Sequence, residues 1–133
     1  MNLRTPTYCT FKVIENELQE REIDVLEVAQ TLHFSIKRIY FLYANDKDLV
    51  RGNHAHKNQK QVLFRLKGGA KVKLTNQEGT EQSFVLEDQA LYIPANHWIE
   101  LYMEKGSQIM CLAEQSYQDL QTITNKSVFL NGQ

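Results

Sequence analysis

The sequence predicts an all-β protein, either a barrel or a double-sheet jelly roll. Three observations lead there. Short runs rich in β-branched and aromatic residues recur along the 133 residues. Turn-forming residues separate them, and no long segment keeps a convincing helical period. Many short strands at regular spacing are how closed and double-sheet β architectures read in sequence.

In chain order, the expected strands are 23–28, 36–43, 61–66, 70–74, 82–86, 90–93, 98–103 and 108–113. In the second, Arg38 and Tyr40 fall on the face of Ile36, because alternate side chains of a strand share a face. In the fourth, Lys71, Lys73 and Thr75 alternate with Val72 and Leu74, a half-buried strand with a solvated lysine side. Gly68-Gly69 and Asn76-Gln77-Glu78-Gly79 read as hairpin-type connections. The one helical feature expected is a turn near Tyr117–Leu120. No repeat, linker or low-complexity segment interrupts the chain.

Composition narrows the function. A chain of 133 residues is expected to form one domain with a single core. A net charge of −1 gives no attraction for nucleic acid or an anionic membrane. The two cysteines, Cys9 and Cys111, lie far apart and make neither a disulfide framework nor a zinc pattern. Cys111 sits in the apolar run Ile109-Met110-Cys111-Leu112 and reads as a buried thiol. No secretory h-region and no apolar run of membrane-spanning length is present, so a cytoplasmic protein is expected.

Chemistry concentrates in residues 51–57, Arg-Gly-Asn-His-Ala-His-Lys. In an extended segment His54 and His56 project to one face and Ala55 to the other. Two converging imidazoles suit a metal site or an acid–base site. His54-x-His56 is followed after four residues by Gln61 and after six more by Gly68, a spacing similar to the first motif of the cupin superfamily. That motif has a carboxylate where this chain has Gln61. The second cupin motif, Pro-x-Gly-x-x-His, is matched by Pro94-Ala95-Asn96-His97-Trp98-Ile99, which puts Ile99 at the histidine position and His97 two residues out of register. Two neutral imidazoles alone hold a first-row cation weakly, and catalytic zinc normally keeps three protein ligands. The expectation is therefore a site without a metal.

The resemblance narrows further. Ser35-Ile36-Lys37-Arg38 with Arg51-Gly52-Asn53-His54-Ala55-His56-Lys57, then Gln61-Val62-Leu63, Trp98-Ile99-Glu100-Leu101 and 111–117, is similar to the WxcM-like cupins, the sugar-nucleotide 3,4-ketoisomerases. The similarity runs from about Phe34 to Tyr117. It implies a cupin jelly roll over 1–133, no cofactor, a homodimer, and a dTDP-4-keto-6-deoxy-D-glucose substrate. The product would feed 3-amino-3,6-dideoxy sugars of surface glycans. Neither nucleic acid nor membrane is an implied partner. The chain departs from the family near its N-terminus, where Arg21 is the candidate stand-in for a family arginine, and at Trp98-Ile99-Glu100.

A 3,4-keto shift needs a group that accepts and donates protons near neutral pH, which suits histidine. His54 is placed as the principal base by the resemblance. His56 is the second acid–base group, although the residues themselves allow the roles to be exchanged. Arg51 and Arg38 are candidates for the diphosphate or sugar oxygens, since a guanidinium donates in bidentate fashion. Tyr40 and Gln61 are candidates for contacts to the sugar. The competing readings are a metal-dependent cupin using His54, His56 and His97, a sugar-nucleotide-binding cupin without activity, and a 3,5-epimerase-like enzyme. An N-terminal segment, Met1–Ile14, is a candidate for an added strand on a partner.

Overall fold

The structure is a computed structural model that describes residues 2–11, 13–15 and 21–132, of which 13–15 and 21 are described by backbone alone. Twelve strands and two helices are present among these residues. They are β1 (Thr7–Cys9), β2 (Val13–Glu15), β3 (Arg21–Ile23), α1 (Val25–Leu32), β4 (Arg38–Tyr43), β5 (Leu49–His56), β6 (Gln61–Lys67) and β7 (Ala70–Thr75). Then follow β8 (Glu81–Leu86), β9 (Ala90–Ile93), β10 (Trp98–Met103), β11 (Gln108–Ala113), β12 (Thr122–Ile123) and α2 (Lys126–Leu130). Two five-stranded antiparallel sheets face each other, ordered β1-β9-β6-β11-β4 and β12-β5-β10-β7-β8, and β2 pairs with β3 apart from them. This is the expected all-β jelly roll. No helix among the described residues is long and apolar enough to cross a membrane.

The core lies between the sheets. Leu63, Leu91, Ile93, Ile109 and Cys111 from one sheet meet Val72, Leu74, Ile99, Leu101 and Met103 from the other. Removing such side chains from water is the main force closing the sandwich, at about 1.5–3 kcal/mol for each large one. Each helix covers an outer face. Val28 and Leu32 of α1 pack on Val62, Phe64, Tyr92 and Leu112. Phe129 of α2 packs on Ala55, Trp98 and Ile123.

Two expectations need correction. Residues 23–28 are not a strand, because α1 begins at Val25. The Asp24 side chain accepts from the amides of Leu26 and Glu27, and His33 closes the helix in the left-handed region at φ 56°. An N-cap together with burial of Val28 and Leu32 on one stripe outweighs the β-branched content of that stretch. Gly68-Gly69 is not a hairpin, since β6 and β7 belong to different sheets. The pair carries the chain from one sheet to the other, and Gly68 lies so close to Ser107 that a Cβ would be 2.7 Å from its Cα. Within the segment Met1–Ile14, β1 lies at the edge of its sheet and pairs with β9. By contrast, β7 and β8 form the expected hairpin over Asn76–Thr80. Residues 117–119 form the expected turn, closed by the Asp119 amide on the Ser116 carbonyl at 3.2 Å.

One local irregularity decides what faces inward. Along the β5–β10 ladder Ile99 opposes His54, but Glu100 opposes Gly52, so Asn53 is an extra residue in β5. Gly52 and Asn53 both have positive φ, 91° and 56°. This β-bulge changes the face on which the preceding residues lie. A regular strand would put residues 51 and 54 on opposite faces. Here His54 opposes Ile99 and Arg51 opposes Leu101, two inward core residues, and directly opposed residues of a ladder share a face. A Cβ on Gly52 would lie 2.6 Å from the Ile99 carbonyl oxygen. Gly52→Ala is therefore expected to destabilise the fold by about 1–3 kcal/mol. Thermal unfolding should show a loss of several degrees, and an unchanged midpoint would contradict this account of the bulge.

Candidate functional site

Inward-facing residues of β4, β5, β6, β10 and β11 enclose a cavity of about 210 Å³. Its walls include Tyr40, Arg51, Gly52, His54, Gln61 and Cys111, with Leu42, Leu63, Ile99 and Leu101 as apolar lining. Four of the six residues singled out from the sequence thus line one space. The other two adjoin it. The His56 ring lies 4.4 Å from that of His54, at 49° to it. The Arg38 guanidinium carbon sits 5.0 Å from the centre of the Tyr40 ring. A larger cavity of about 720 Å³ lies elsewhere, among Asp48, Arg65, Lys71, Glu87 and Glu104, and contains no imidazole.

Hydrogen bonds orient the set. Tyr40 donates its hydroxyl proton to Gln61 Oε1 at 2.9 Å. Arg38 donates through Nη2 to Gln59 Oε1 at 3.3 Å. Arg51 is exposed at the rim and donates through Nη2 to the Tyr43 carbonyl at 3.2 Å. His56 Nδ1 is 3.2 Å from Thr122 Oγ1. Two buried donors, Arg38 Nε and Gln59 Nε2, have no hydrogen-bond partner among the described residues. Buried donors of this kind are seldom left unmatched, so they are available to a ligand oxygen.

Burial sets the protonation states. It lowers His56 to about 3, helped by the neighbouring His54 and then by the Arg38 charge. His54 is also lowered by burial, but a hydrogen bond to the Gly52 backbone pulls it back. Both rings are therefore neutral at pH 7, each with one N–H and one lone pair. Burial raises Tyr40, with the adjacent Cys111 adding to it, so the phenol keeps its proton. Burial likewise pushes the Cys111 thiol up to about 12. The site offers two neutral imidazoles, a phenol and cationic donors at its edge.

The other candidates fall outside the cluster. His97 is half-buried, its Nδ1 3.0 Å from the Ala95 carbonyl, and it does not line the cavity. Ile99 projects beside His54 where a cupin has a metal-binding histidine. Among the described residues no three His, Cys, Asp or Glu side chains gather as metal ligands, so the three-histidine arrangement is not assembled. The Arg21 side chain lies outside the described residues. Trp98 is buried against Phe129, 6.0 Å between ring centres, as packing. Sequence reasoning missed Gln59 and Thr122. Gln59 belongs to no motif, and Thr122 reaches His56 across 66 residues, a pairing without local signal.

Comparison with known proteins fits this geometry. The fold is a cupin-like jelly roll that carries an inward-facing pair of histidines. The family model described as FdtA, WxcM-like, C-terminal, matches residues 6–133, and the chain belongs to that family. A curated relative from Aneurinibacillus thermoaerophilus, TDP-4-oxo-6-deoxy-alpha-D-glucose-3,4-oxoisomerase, is 31% identical over 96 residues, 71% of this chain and 68% of that protein. Among solved structures, a histidine-to-asparagine variant of the 3,4-ketoisomerase QdtA from Thermoanaerobacterium thermosaccharolyticum, in complex with TDP-4-keto-6-deoxyglucose, superposes with a TM-score of 0.81. It is 28% identical, covering 96% of this chain and 92% of its own. The TDP-quinovose 3,4-ketoisomerase WlaRB from Campylobacter jejuni also gives 0.81, at 29% identity over 96% and 98% of the two chains.

The depressed imidazoles carry a pH signature. His54, His56 and His97 are all lowered from 6.5 in the folded chain, each chiefly by burial. Below about 6.5 the unfolded chain binds protons that the folded chain does not, so stability falls as pH falls. Their contribution is complete above 6.5 and declines below it. Chemical denaturation at pH 5, 6, 7 and 8 should show unfolding free energy rising to pH 7 and then levelling. A flat profile from 5 to 7 would contradict the assigned burial.

Proposed function

We propose that this protein is a sugar-nucleotide 3,4-ketoisomerase that converts dTDP-4-keto-6-deoxy-D-glucose to a dTDP-3-keto-6-deoxyhexose. The observation that carries this reading is the pair of neutral, touching imidazoles at a cavity of about 210 Å³. That volume is below the ~300–1,000 Å³ usual for whole small-molecule sites. It suits the hexose ring, with the nucleotide left at the rim near Arg51. The ketoisomerase relatives support the same substrate class.

The mechanism follows from the protonation states. The C4 ketone acidifies the C3 proton, and His54 removes it to give an enediolate across C3 and C4. The weaker depression of His54 favours it as the base. His56 is a poor base with its pKa near 3, but as a neutral ring it donates a hydrogen bond. Such a donor, with Arg38, stabilises the oxyanion as it forms. The O3 proton then passes to O4, and protonation at C4 leaves the ketone at C3 and a hydroxyl at C4. Tyr40 and Gln61 hold one another and support contacts to the sugar hydroxyls, Gln61 through its amide nitrogen. No electron leaves the substrate, so the shift itself requires neither a redox cofactor nor, with these donors, a metal.

The decisive experiment follows the dTDP-ketosugar by NMR in deuterated buffer. The wild type should move the carbonyl to C3 and place deuterium at C4. His54→Asn should lose at least about 100-fold in rate, the lower range for removal of a general base. Turnover should survive prior dialysis against a chelator. Binding without turnover would favour a ligand-binding cupin, and exchange at C3 and C5 without carbonyl migration an epimerase. Loss of activity on chelation, restored by a divalent ion, would favour a metal-dependent cupin.

The proposal includes a cytoplasmic homodimer, without nucleic-acid or membrane partners. Edge strand β4 leaves Ile39, Phe41 and Tyr43 each 43–48% exposed on the outer face of its sheet. A second copy related by a two-fold axis would cover this stripe. Sedimentation at micromolar concentration should give twice the chain mass, and Phe41→Glu should return it to the monomer. A wild-type monomer would contradict the dimer.

A further inference from the structure

We propose that Thr122 is a positioning residue for the acid–base pair, fixing His56 as the Nε2–H tautomer by donating its hydroxyl proton to Nδ1. This rests on the reading of His54 and His56 as the reacting pair. The contact is 3.2 Å. It is a consequence of register: Thr122 directly opposes His56 and Ile123 opposes Ala55 in the β12–β5 ladder. Opposed residues share a face. Ala55 and Ile123 turn outward, where they are buried with Trp98 and Phe129. Thr122 is thereby held on the inward face beside the imidazole.

The segment that carries Thr122 is fastened on both sides. The Lys57 amide donates to the Gln121 carbonyl at 2.9 Å. The Gln121 amide donates to Asn58 Oδ1 at 3.0 Å, and Asn58 Nδ2 donates to the Asp119 carbonyl at 2.8 Å. Beyond it, α2 is anchored by Phe129, buried in that outer cluster. The hydroxyl is therefore presented at a fixed place, and the C-terminal segment acts as part of the active site rather than as a tail.

The chemical consequence concerns which nitrogen carries the single proton. In a neutral imidazole, a hydrogen bond donated to Nδ1 keeps the proton on Nε2. Nε2 lies on the opposite side of the ring from β12. His56 then offers a donor, while the neutral ring of His54 beside it, 4.4 Å between centres, offers a lone pair. One ring accepts and its neighbour donates, which is what a proton shift between adjacent carbons requires. A ring free to exchange tautomers would spend part of its time with two lone pairs facing the substrate.

The test combines two-bond proton–nitrogen NMR of the histidines in the ligand-free protein with steady-state kinetics. The wild type should show His56 with a protonated Nε2 and an unprotonated Nδ1. Thr122→Val keeps the β-branched shape but removes the hydroxyl. It should give a mixed tautomer and lower kcat about tenfold, the scale of one lost orienting hydrogen bond, with KM within twofold. Thr122→Ser should restore both the spectrum and kcat. A wild-type ring protonated on Nδ1, or a Val variant with unchanged tautomer and kcat, would overturn the proposal. If the wild type turns over no dTDP-ketosugar, the ketoisomerase reading fails, and the tautomer spectra alone still decide the role of Thr122.

Discussion

The bulge at Gly52 and Asn53 is the constraint on which the rest of the site depends. It lets a single strand turn Arg51, His54 and His56 to one side, which strict alternation forbids. It needs a residue that tolerates φ near 91° and has no side chain against the Ile99 carbonyl, and glycine meets both demands. Asn53 follows in the left-handed region, which asparagine enters more readily than most residues. The carbonyl of Gly52 is then placed to engage the ring of His54. Backbone irregularity and side-chain chemistry are thus one feature.

Around that strand the barrel sets the electrical environment. The imidazoles lie over a floor of Leu63, Ile99 and Leu101, which keeps water away and disfavours the charged rings. The same burial keeps the Tyr40 phenol and the Cys111 thiol protonated, so neither competes as a base. Ile99 contributes twice, as core packing and as an inert group where a metal-binding cupin carries a ligand. The unmatched donors of Arg38 and Gln59 give the interior a place for oxygen. An apolar floor under a few convergent polar groups is the usual build of a small-molecule site.

Much of this was legible in the sequence. The strands 90–93, 98–103 and 108–113 were read to the residue, because continuous apolar runs between clear turns leave little choice. His54 and His56 were expected on one face from their spacing, and the cavity gathers four of the six candidates. What escaped reading was set by tertiary context. Helix α1 hides in a β-branched stretch and declares itself only through the Asp24 cap and the stripe of Val28 and Leu32. Gly68-Gly69 looks like a hairpin until the sheets are seen to be different. The shared face of Arg51 and His54 depends on an extra residue that period-two counting does not reveal. Thr122 and Gln59 reach the site through long-range pairing and a loop, for which one chain's sequence holds no local sign.

The claim that the imidazole cavity receives the sugar is tested most directly by a crystal structure of His54→Asn with dTDP-4-keto-6-deoxy-D-glucose bound. The account predicts the hexose between β4, β5 and β6, its C3 within roughly 3–3.5 Å of the side chain at position 54. Arg51 should be at the nucleotide side, and a sugar oxygen should meet Arg38 Nε or Gln59 Nε2. A hexose seated instead in the larger cavity between Arg65, Lys71 and Glu104, with the imidazoles untouched, would contradict it.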